Sequence, residues 1–203
     1  MGPSGRVSGV DISEPLLAVA RSHCAHQPWA EFRYADATRL PFHDHAFDAL
    51  VSTQVLEYVR EVDVALAEFY RVLRPGGRVG IMDTDWESLV WHCPDRERAK
   101  RVLAAWDEHA TDPYLPRTLA GRLHRAGFST VSPRVMPLLN ADYDVNTYSN
   151  RLIDLIVAFV VERGKITRDE AEAWASSVRQ LGERGLYFFS LNRYVFLPVR
   201  PEK

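Results

Sequence analysis

Apolar residues recur along the first half of the chain with two periods, and each period predicts one kind of element. Short runs typical of strands in a covered sheet lie at residues 6–11, 31–35, 47–53 and 78–83. From residue 62 to residue 73, apolar residues recur at three- and four-residue steps, which is the period of one helix face. Another helix is expected after Ser13, a residue type that caps helices. Since strands and helices alternate, the pattern predicts an α/β fold with a parallel sheet.

The second half of the chain departs from this strict alternation. Helices are predicted at residues 95–109, 116–126, 146–163 and 167–182, and strands at 129–139 and 186–199. The stretch 152–161 is rich in Ile and Val, so a strand reading stays open there, although its length favours a helix. The last two predicted helices therefore form an insertion before the final strand.

Composition narrows the classes of protein that fit. The chain has 203 residues, 46% of them hydrophobic, and 25 Lys plus Arg against 27 Asp plus Glu, a formal net charge of −2. This balance gives no basic field, so we expect no nucleic-acid partner. The two cysteines, Cys24 and Cys93, lie far apart in sequence, which favours a reducing compartment, the cytoplasm. No apolar run is long enough to suggest membrane insertion, and no His or Cys spacing indicates a metal site.

The ends of three predicted strands carry residues that suit a nucleoside. Asp11 follows the first strand, where a carboxylate can accept hydrogen bonds from both ribose hydroxyls. Asp36 and Ala37 follow the second, where a carboxylate and a backbone N–H can meet an adenine. Thr53 ends the third strand. The alternatives are a helix cap or turn at Asp11, an Asx turn at Asp36 and ordinary loop polarity at Thr53.

Four motifs in a fixed order carry a resemblance to a known family. They are GVDIS at 9–13, ADATRLPF at 35–42, FDALVSTQVLEYV at 47–59 and FYRVLRPGGRVGI at 69–81. Together they resemble the class I S-adenosylmethionine-dependent methyltransferases, and within them the group that includes the ubiquinone and menaquinone C-methyltransferases. The resemblance implies a Rossmann-like, doubly wound, mostly parallel sheet with S-adenosylmethionine as cofactor. It also implies a structural turn at LRPGG, residues 73–77.

By the same resemblance, Asp11 with its neighbour Ile12 would hold the ribose side of the cofactor, and Asp36 with Ala37 the adenine. Thr53 would add a further contact. The chain is then expected to be a single methyltransferase domain at 1–203, with a cofactor-binding part at 1–85 and a substrate-side part at 86–203. The helices at 146–182 would act as a lid that keeps water from the reacting methyl group.

In one respect the chain departs from the family pattern. The family carries a glycine-rich cofactor loop on a first strand and helix, upstream of the residue matched by Asp11, and these 203 residues contain no such loop before Asp11. We therefore expect the first strand and helix to be missing, and either a longer natural protein or a poor enzyme. The strands at 6–11 and 47–53 would then pair with each other or leave backbone groups unpaired. A degenerate non-catalytic domain and an NAD-dependent oxidoreductase are the alternatives.

The methyl acceptor is expected to be a small molecule, and the sequence offers few residues to bind it. His92 is a candidate general base, with a surface histidine as the alternative. Trp86, Trp91 and Tyr148 are candidates for an aromatic wall around a flat or apolar acceptor, although most such rings lie in cores. Arg117 and Arg151 could bind an acidic acceptor, with solvated helix surface as the alternative.

Overall fold

The computed structural model describes residues 4–202, and β-strands and α-helices alternate along most of their length. In chain order the strands are β1 (Val7–Asp11), β2 (Ala30–Tyr34), β3 (Phe47–Thr53), β4 (Leu73–Trp91), β5 (Arg134–Asn140) and β6 (Phe189–Phe196). The helices are α1 (Glu14–His23), α2 (Val62–Val72), α3 (Arg96–Trp106), α4 (Pro116–Arg125), α5 (Tyr148–Glu162) and α6 (Arg168–Glu183). Short 3-10 helices at Leu56–Tyr58 and Asp107–His109 follow β3 and α3.

The strands form two sheets. β1 and β2 pair in parallel, and β3, β4, β6 and β5 form a second sheet in that spatial order. In the second sheet β3 and β4 are parallel, whereas β6 runs antiparallel to both β4 and β5. The predicted α/β, Rossmann-like class is confirmed. Within the second sheet β3, β4 and β5 run in one direction and only β6, the last strand, runs against its neighbours, which agrees with the expected mostly parallel sheet.

β1 and β3 do not pair with each other, so the first of the two expected arrangements is wrong. Among the described residues, β1 pairs only with β2, and β3 pairs only with β4. The free side of β3 leaves an apolar residue in solvent, since Val51 in the middle of that strand is 78% exposed. The second expected arrangement, in which strand edges stay unpaired, therefore describes residues 4–202.

Caps that were visible in the sequence begin the helices. Ser13 accepts a hydrogen bond from the Leu16 N–H at the start of α1. Thr147 and Thr167 do the same for the third residues of α5 and α6. Each such bond satisfies one of the N–H groups that have no partner inside a helix. The stretch 152–161 lies within α5, so it forms the helix that its length favours.

The buried side chains form two clusters, one under each end of β4. The first joins α2 and α4 to β3 and the start of β4, with Leu66 and Leu119 fully buried in it. The second joins α3, α5 and α6 to the far ends of β4 and β6, around the fully buried Trp174. The helices predicted as a lid therefore contribute residues to the core. This indicates that they are a permanent part of the domain. A lid role stays a prediction.

The LRPGG turn generates a test of stability. Gly76 has a φ of 76°, and a Cβ added at Gly77 would lie 2.8 Å from the carbonyl oxygen of Arg74 and 3.3 Å from that of Asp48. Backbone atoms cannot move aside, so Gly77→Ala should lower the free energy of unfolding by about 1–3 kcal/mol in a urea titration.

Gly80→Ala is the matched control in the same strand, because the nearest atoms to its added Cβ are 3.9 Å away. It should change the free energy of unfolding by less than about 0.5 kcal/mol. Equal effects of the two substitutions would show that close approach at Gly77 does not limit the turn.

Candidate functional site

Asp11 and Asp36 follow neighbouring parallel strands. Asp11 is the last residue of β1 and lies opposite Tyr34, the last residue of β2. The Ala35 N–H donates to the Asp11 carbonyl oxygen at 3.1 Å, and Asp36 comes next. The structure therefore brings both predicted carboxylates to one edge of the β1–β2 pair, which is where parallel sheets bind ligands.

Each of these carboxylates uses one oxygen locally. Asp11 Oδ1 accepts from the Ser13 N–H at 2.8 Å, and Asp36 Oδ1 accepts from the N–H and hydroxyl of Thr38 at 2.8 and 2.7 Å. The backbone and hydroxyl donors of Thr38 lower the pKa of Asp36. The turns weighed as alternatives are thus present at both positions. The second oxygen of each carboxylate accepts no hydrogen bond from residues 4–202, so both remain open to a ligand.

Two neighbours of these carboxylates add to the same edge. Ile12 directly after Asp11 is 62% exposed, an unusual state for a large apolar side chain and one suited to a flat ring. The N–H of Ala37 donates to no acceptor within the described chain. Together they offer the apolar contact and the donor that an adenine requires.

A partly buried ion-pair network fixes the loop that carries Asp36. Arg71 on α2 donates to the carbonyl oxygens of Leu40 and Phe42 at 3.1 and 2.8 Å, and to Glu68 at 2.7 and 2.8 Å. Glu68 in turn accepts from the Leu40 N–H at 2.8 Å. Helix α2 therefore holds the loop after β2 through one arginine and one carboxylate.

Thr53 ends β3 at the corresponding edge of the second sheet, opposite Met82 of β4. The next residue, Gln54, has a φ of 54°, in the left-handed region that a side chain rarely adopts. Its N–H donates to the Met82 carbonyl oxygen at 2.8 Å, which ends the strand and turns the chain toward the 3-10 helix at Leu56–Tyr58.

A carboxylate that sequence reasoning missed lies in that 3-10 helix. Glu57 is fully buried and accepts from the Gln54 side-chain amide at 3.0 Å and the Thr84 N–H at 3.1 Å. The Thr84 hydroxyl donates to Gln54 Oε1 at 2.8 Å and closes the network. The Glu57 carbonyl oxygen accepts from the N–H groups of Thr111 and Asp112. One residue thus joins the ends of β3 and β4 to the segment before α4.

Asp83 is a second buried carboxyl beside Glu57. It is fully buried on β4, and its Oδ1 accepts from the Val55 N–H at 3.2 Å, while Oδ2 has no hydrogen-bond partner among the described residues. Burial, followed by the charge of Glu57, raises the pKa of Asp83 to about 8. Burial also raises the pKa of Glu57. Asp83 therefore carries a proton at neutral pH.

Trp86 and Trp91, two of the three aromatic candidates, lie in the core. Trp86 is 5% exposed and packs edge-on against Trp106. Trp91 is 8% exposed, contacts Trp174 and donates its indole N–H to the Tyr187 hydroxyl at 3.1 Å. This placement matches the core role weighed for such rings. Neither indole forms an exposed wall.

The structure does not place His92, the candidate base, at the sheet edge where Asp83 lies. Asp83 lies opposite Tyr194 of β6, and Trp91, just before His92, lies opposite Phe189. Five residues of β6 separate these positions, about 17 Å along an extended strand. β4 continues well beyond the parallel part of the sheet, and His92 is exposed at its far end.

Two other candidates lie near the site with different roles. Arg117 binds Asp85 with two hydrogen bonds of 2.9 and 3.0 Å and also pairs with Glu87, so its charge is already used. Tyr148, the third aromatic candidate, begins α5 and is 37% exposed. The guanidinium carbon of Arg193 lies 4.8 Å from the centre of its ring. Tyr148 is thus the aromatic candidate that stays accessible.

No helix in the part of the chain that the structure describes is both long and apolar enough to cross a bilayer. Within residues 4–202, no three His, Cys, Asp or Glu side chains come together in a group that could hold a metal ion.

This geometry defines a class of structure, a Rossmann-like α/β fold with open carboxylates at the ends of parallel strands. Residues 1–81 match the family model described as a methyltransferase domain. The chain is 37% identical over 149 residues, 71% of its length and 41% of the relative's, to an uncharacterized 37.1 kDa protein in transposon TN4556 of Streptomyces fradiae. It is 38% identical over 89 residues, 44% of its length and 37% of the relative's, to a demethylmenaquinone methyltransferase of Staphylococcus aureus.

Among solved structures, the YcgJ protein of Bacillus subtilis matches with a TM-score of 0.64, covering 98% of this chain and 83% of that one at 16% identity. A likeness at this identity concerns the fold. The chain spans about two fifths of the length of the two curated relatives. The matches confirm the resemblance stated from the motifs: residues 1–81 match a methyltransferase domain, and part of the chain is similar to a demethylmenaquinone methyltransferase.

The raised pKa of Asp83 predicts how stability depends on pH. Between the pKa of an unfolded aspartate, about 3.9, and the folded value of about 8, the folded chain holds a proton that the unfolded chain has released. The free energy of unfolding should therefore fall as pH rises through this window. Asp83→Asn removes this titration and keeps an oxygen that can accept from Val55.

Urea titrations from about pH 5 to about pH 8 should show the wild type losing stability relative to Asp83→Asn, by at most about 1.4 kcal/mol per pH unit. Asp142→Asn, an exposed position, should follow the wild type at each pH. A constant difference between wild type and Asp83→Asn would mean that Asp83 is ionised throughout.

Proposed function

We propose that the protein transfers a methyl group from S-adenosylmethionine to a small molecule. The observation that carries the proposal is the pair of carboxylates, Asp11 and Asp36, at the ends of adjacent parallel strands, each with one oxygen free of protein donors. The methyltransferase-domain match over residues 1–81 supports the same function. The cytoplasm is the proposed location, since Cys24 and Cys93 are both free thiols.

The residues at this edge have separate roles in the proposal. Asp11 accepts hydrogen bonds from the ribose hydroxyls through the oxygen that Ser13 leaves free, and Ile12 packs against the nucleoside. Asp36 accepts from the adenine amino group while the Ala37 N–H donates to a ring nitrogen. Thr53, at the end of β3, contacts the cofactor from the second sheet.

The reaction mainly requires that the acceptor is aligned with the methyl group. S-adenosylmethionine supplies a sulfonium methyl group that is already activated. The protein must hold the acceptor in line with it and keep water away, and orientation of this kind accounts for a large part of a displacement rate. The buried network around Glu57 suits this task, because it fixes the ends of β3 and β4 with hydrogen bonds. We do not assign His92 as the proton acceptor of the reaction.

Two alternatives were raised by the sequence, and the matches favour neither. An NAD-dependent oxidoreductase also uses a carboxylate after a strand for the ribose. The family match and the relative named demethylmenaquinone methyltransferase favour methyl transfer instead. A degenerate binding domain differs from an enzyme in its affinity for cofactor, which is measurable.

The proposal predicts a preference between two adenosine-containing ligands. Isothermal titration of residues 1–203 should show binding of S-adenosylhomocysteine in preference to NAD. The affinity of residues 1–203 for S-adenosylhomocysteine should be weaker than micromolar. These residues contain no glycine-rich loop before Asp11 that could contact the amino-acid part of the ligand. Tight NAD binding without S-adenosylhomocysteine binding would overturn the proposed function. Micromolar S-adenosylhomocysteine binding would overturn only the expectation of weakness.

Asp11→Asn tests the ribose contact within that measurement. Asparagine keeps an oxygen for the Ser13 N–H and removes the anionic acceptor, so affinity for S-adenosylhomocysteine should fall about tenfold or more. Asp142→Asn makes the same charge change at an exposed loop position and should leave affinity unchanged. An unchanged affinity in Asp11→Asn would remove this residue from the site.

A further inference from the structure

Arg193 lies on β6 beside the edge that carries Glu57 and Asp83. It is opposite Thr84 of β4 and Met136 of β5, so the three side chains share one face of the sheet. Thr84 on this face belongs to the Glu57 network through its hydroxyl and its N–H. Arg193 is therefore next to the carboxyl end of the parallel strands.

The charge of Arg193 is not matched by a carboxylate, and the polar group beside it is the Tyr148 hydroxyl. No carboxylate among residues 4–202 forms an ion pair with it, and its Nε is buried without a hydrogen-bond acceptor. No other arginine in the described chain has such a buried, unpartnered nitrogen. A buried N–H donor on a charged group is costly without an acceptor, so this atom points to a group that the protein does not supply.

The carboxylates around Arg193 are already committed elsewhere. Asp85 is bound by Arg117 through two hydrogen bonds. Glu57 is satisfied by Gln54 and Thr84, and Asp83 is buried with one oxygen on Val55. Asp83 and Asp85 also alternate with Thr84 along β4 and so lie on the opposite face, which leaves the guanidinium of Arg193 without a carboxylate partner.

One partly exposed aromatic ring, Tyr148, adjoins the guanidinium, and a second, Tyr58, lies close enough to Tyr148 for that ring to affect the pKa of Tyr58. The Tyr148 ring lies under the guanidinium, with 4.8 Å between the ring centre and the guanidinium carbon. Tyr58, 48% exposed, follows Glu57 in the 3-10 helix, and its pKa is raised by burial, by Glu57 and to a smaller degree by Tyr148. A flat ring beside a planar cation forms a surface suited to a flat anion.

We propose that Arg193, with Tyr148 beside it, binds the carboxylate of a planar aromatic methyl acceptor. The proposal rests on the function proposed above and names the substrate class for it. A guanidinium can bind a carboxylate through two parallel N–H donors, and its Nε–H is one of the donors that such a pair uses. Arg193 is a specificity-determining residue in this assignment.

Benzoate and benzamide are the probes for a test, because they have nearly the same shape and differ in charge. Saturation-transfer NMR titrations of residues 1–203 should show saturable binding of benzoate, about tenfold tighter than that of benzamide. Arg193→Gln should weaken benzoate binding about tenfold and leave benzamide unchanged. Arg193→Lys should restore part of the loss, because it keeps the charge without the two-donor geometry.

Arg151→Gln is the matched control, since this exposed arginine lies on α5 three residues after Tyr148. It should bind benzoate like the wild type. Equal loss in both glutamine variants would show a general charge effect and overturn the proposal, as would equal binding of the two probes or no saturable benzoate binding. Thermal melting checks that each variant is folded.

Titration of S-adenosylhomocysteine separates this proposal from the proposed function. Arg193→Gln should bind S-adenosylhomocysteine like the wild type, because Asp11 and Asp36 lie on the other sheet. A protein that binds benzoate through Arg193 but prefers NAD to S-adenosylhomocysteine would keep the anion site and lose the methyltransferase function. The reverse pattern would keep the function and lose the anion site.

Discussion

The buried carboxylate of Glu57 holds together the three segments around which the site forms. Its side chain takes one hydrogen bond from Gln54 after β3 and one from the Thr84 N–H of β4, and its carbonyl oxygen takes two from the segment before α4. A charge removed from water is tolerated only when such donors surround it. Because Asp83 lies next to it, a second negative charge is disfavoured there, and Asp83 keeps its proton. Glu57 thus contributes both to the rigidity of the edge and, after burial, to the raised pKa of its neighbour.

Much of the fold was predictable because its signals are local. The apolar face of α2, the caps of α1 at Ser13 and of α6 at Thr167, and the glycines of LRPGG act over a few residues, and the structure shows each of them. The placement of Asp11 and Asp36 also followed from the sequence, since the carboxyl ends of adjacent parallel strands lie side by side. Their contact with a cofactor stays a prediction.

The parts that could not be predicted depend on contacts between distant segments. β4 runs on to Trp91 because β6 returns beside it, and no local signal showed that pairing. This extension places Trp91 in the second core cluster and His92 away from Asp83, so one pairing determines the position of both candidates. In the sequence, Glu57 lies between the predicted strand at 47–53 and the predicted helix at 62–73, and Arg193 lies in the predicted strand at 186–199. Their roles arise from the partners that the fold gives or denies them.

The charges at this edge also limit which atom of an acceptor can react. In the proposed transfer a positive sulfonium and an electron-rich acceptor lose charge as the methyl group moves. A cation that contacts the reacting atom would stabilise the starting state more than the transition state and would slow the reaction. Arg193 therefore suits a carboxylate that orients the acceptor and stays unmethylated, while a different atom of the same ring system attacks. The nearby neutral Asp83 fits this arrangement, because an ionised carboxylate there would repel the anion that Arg193 attracts.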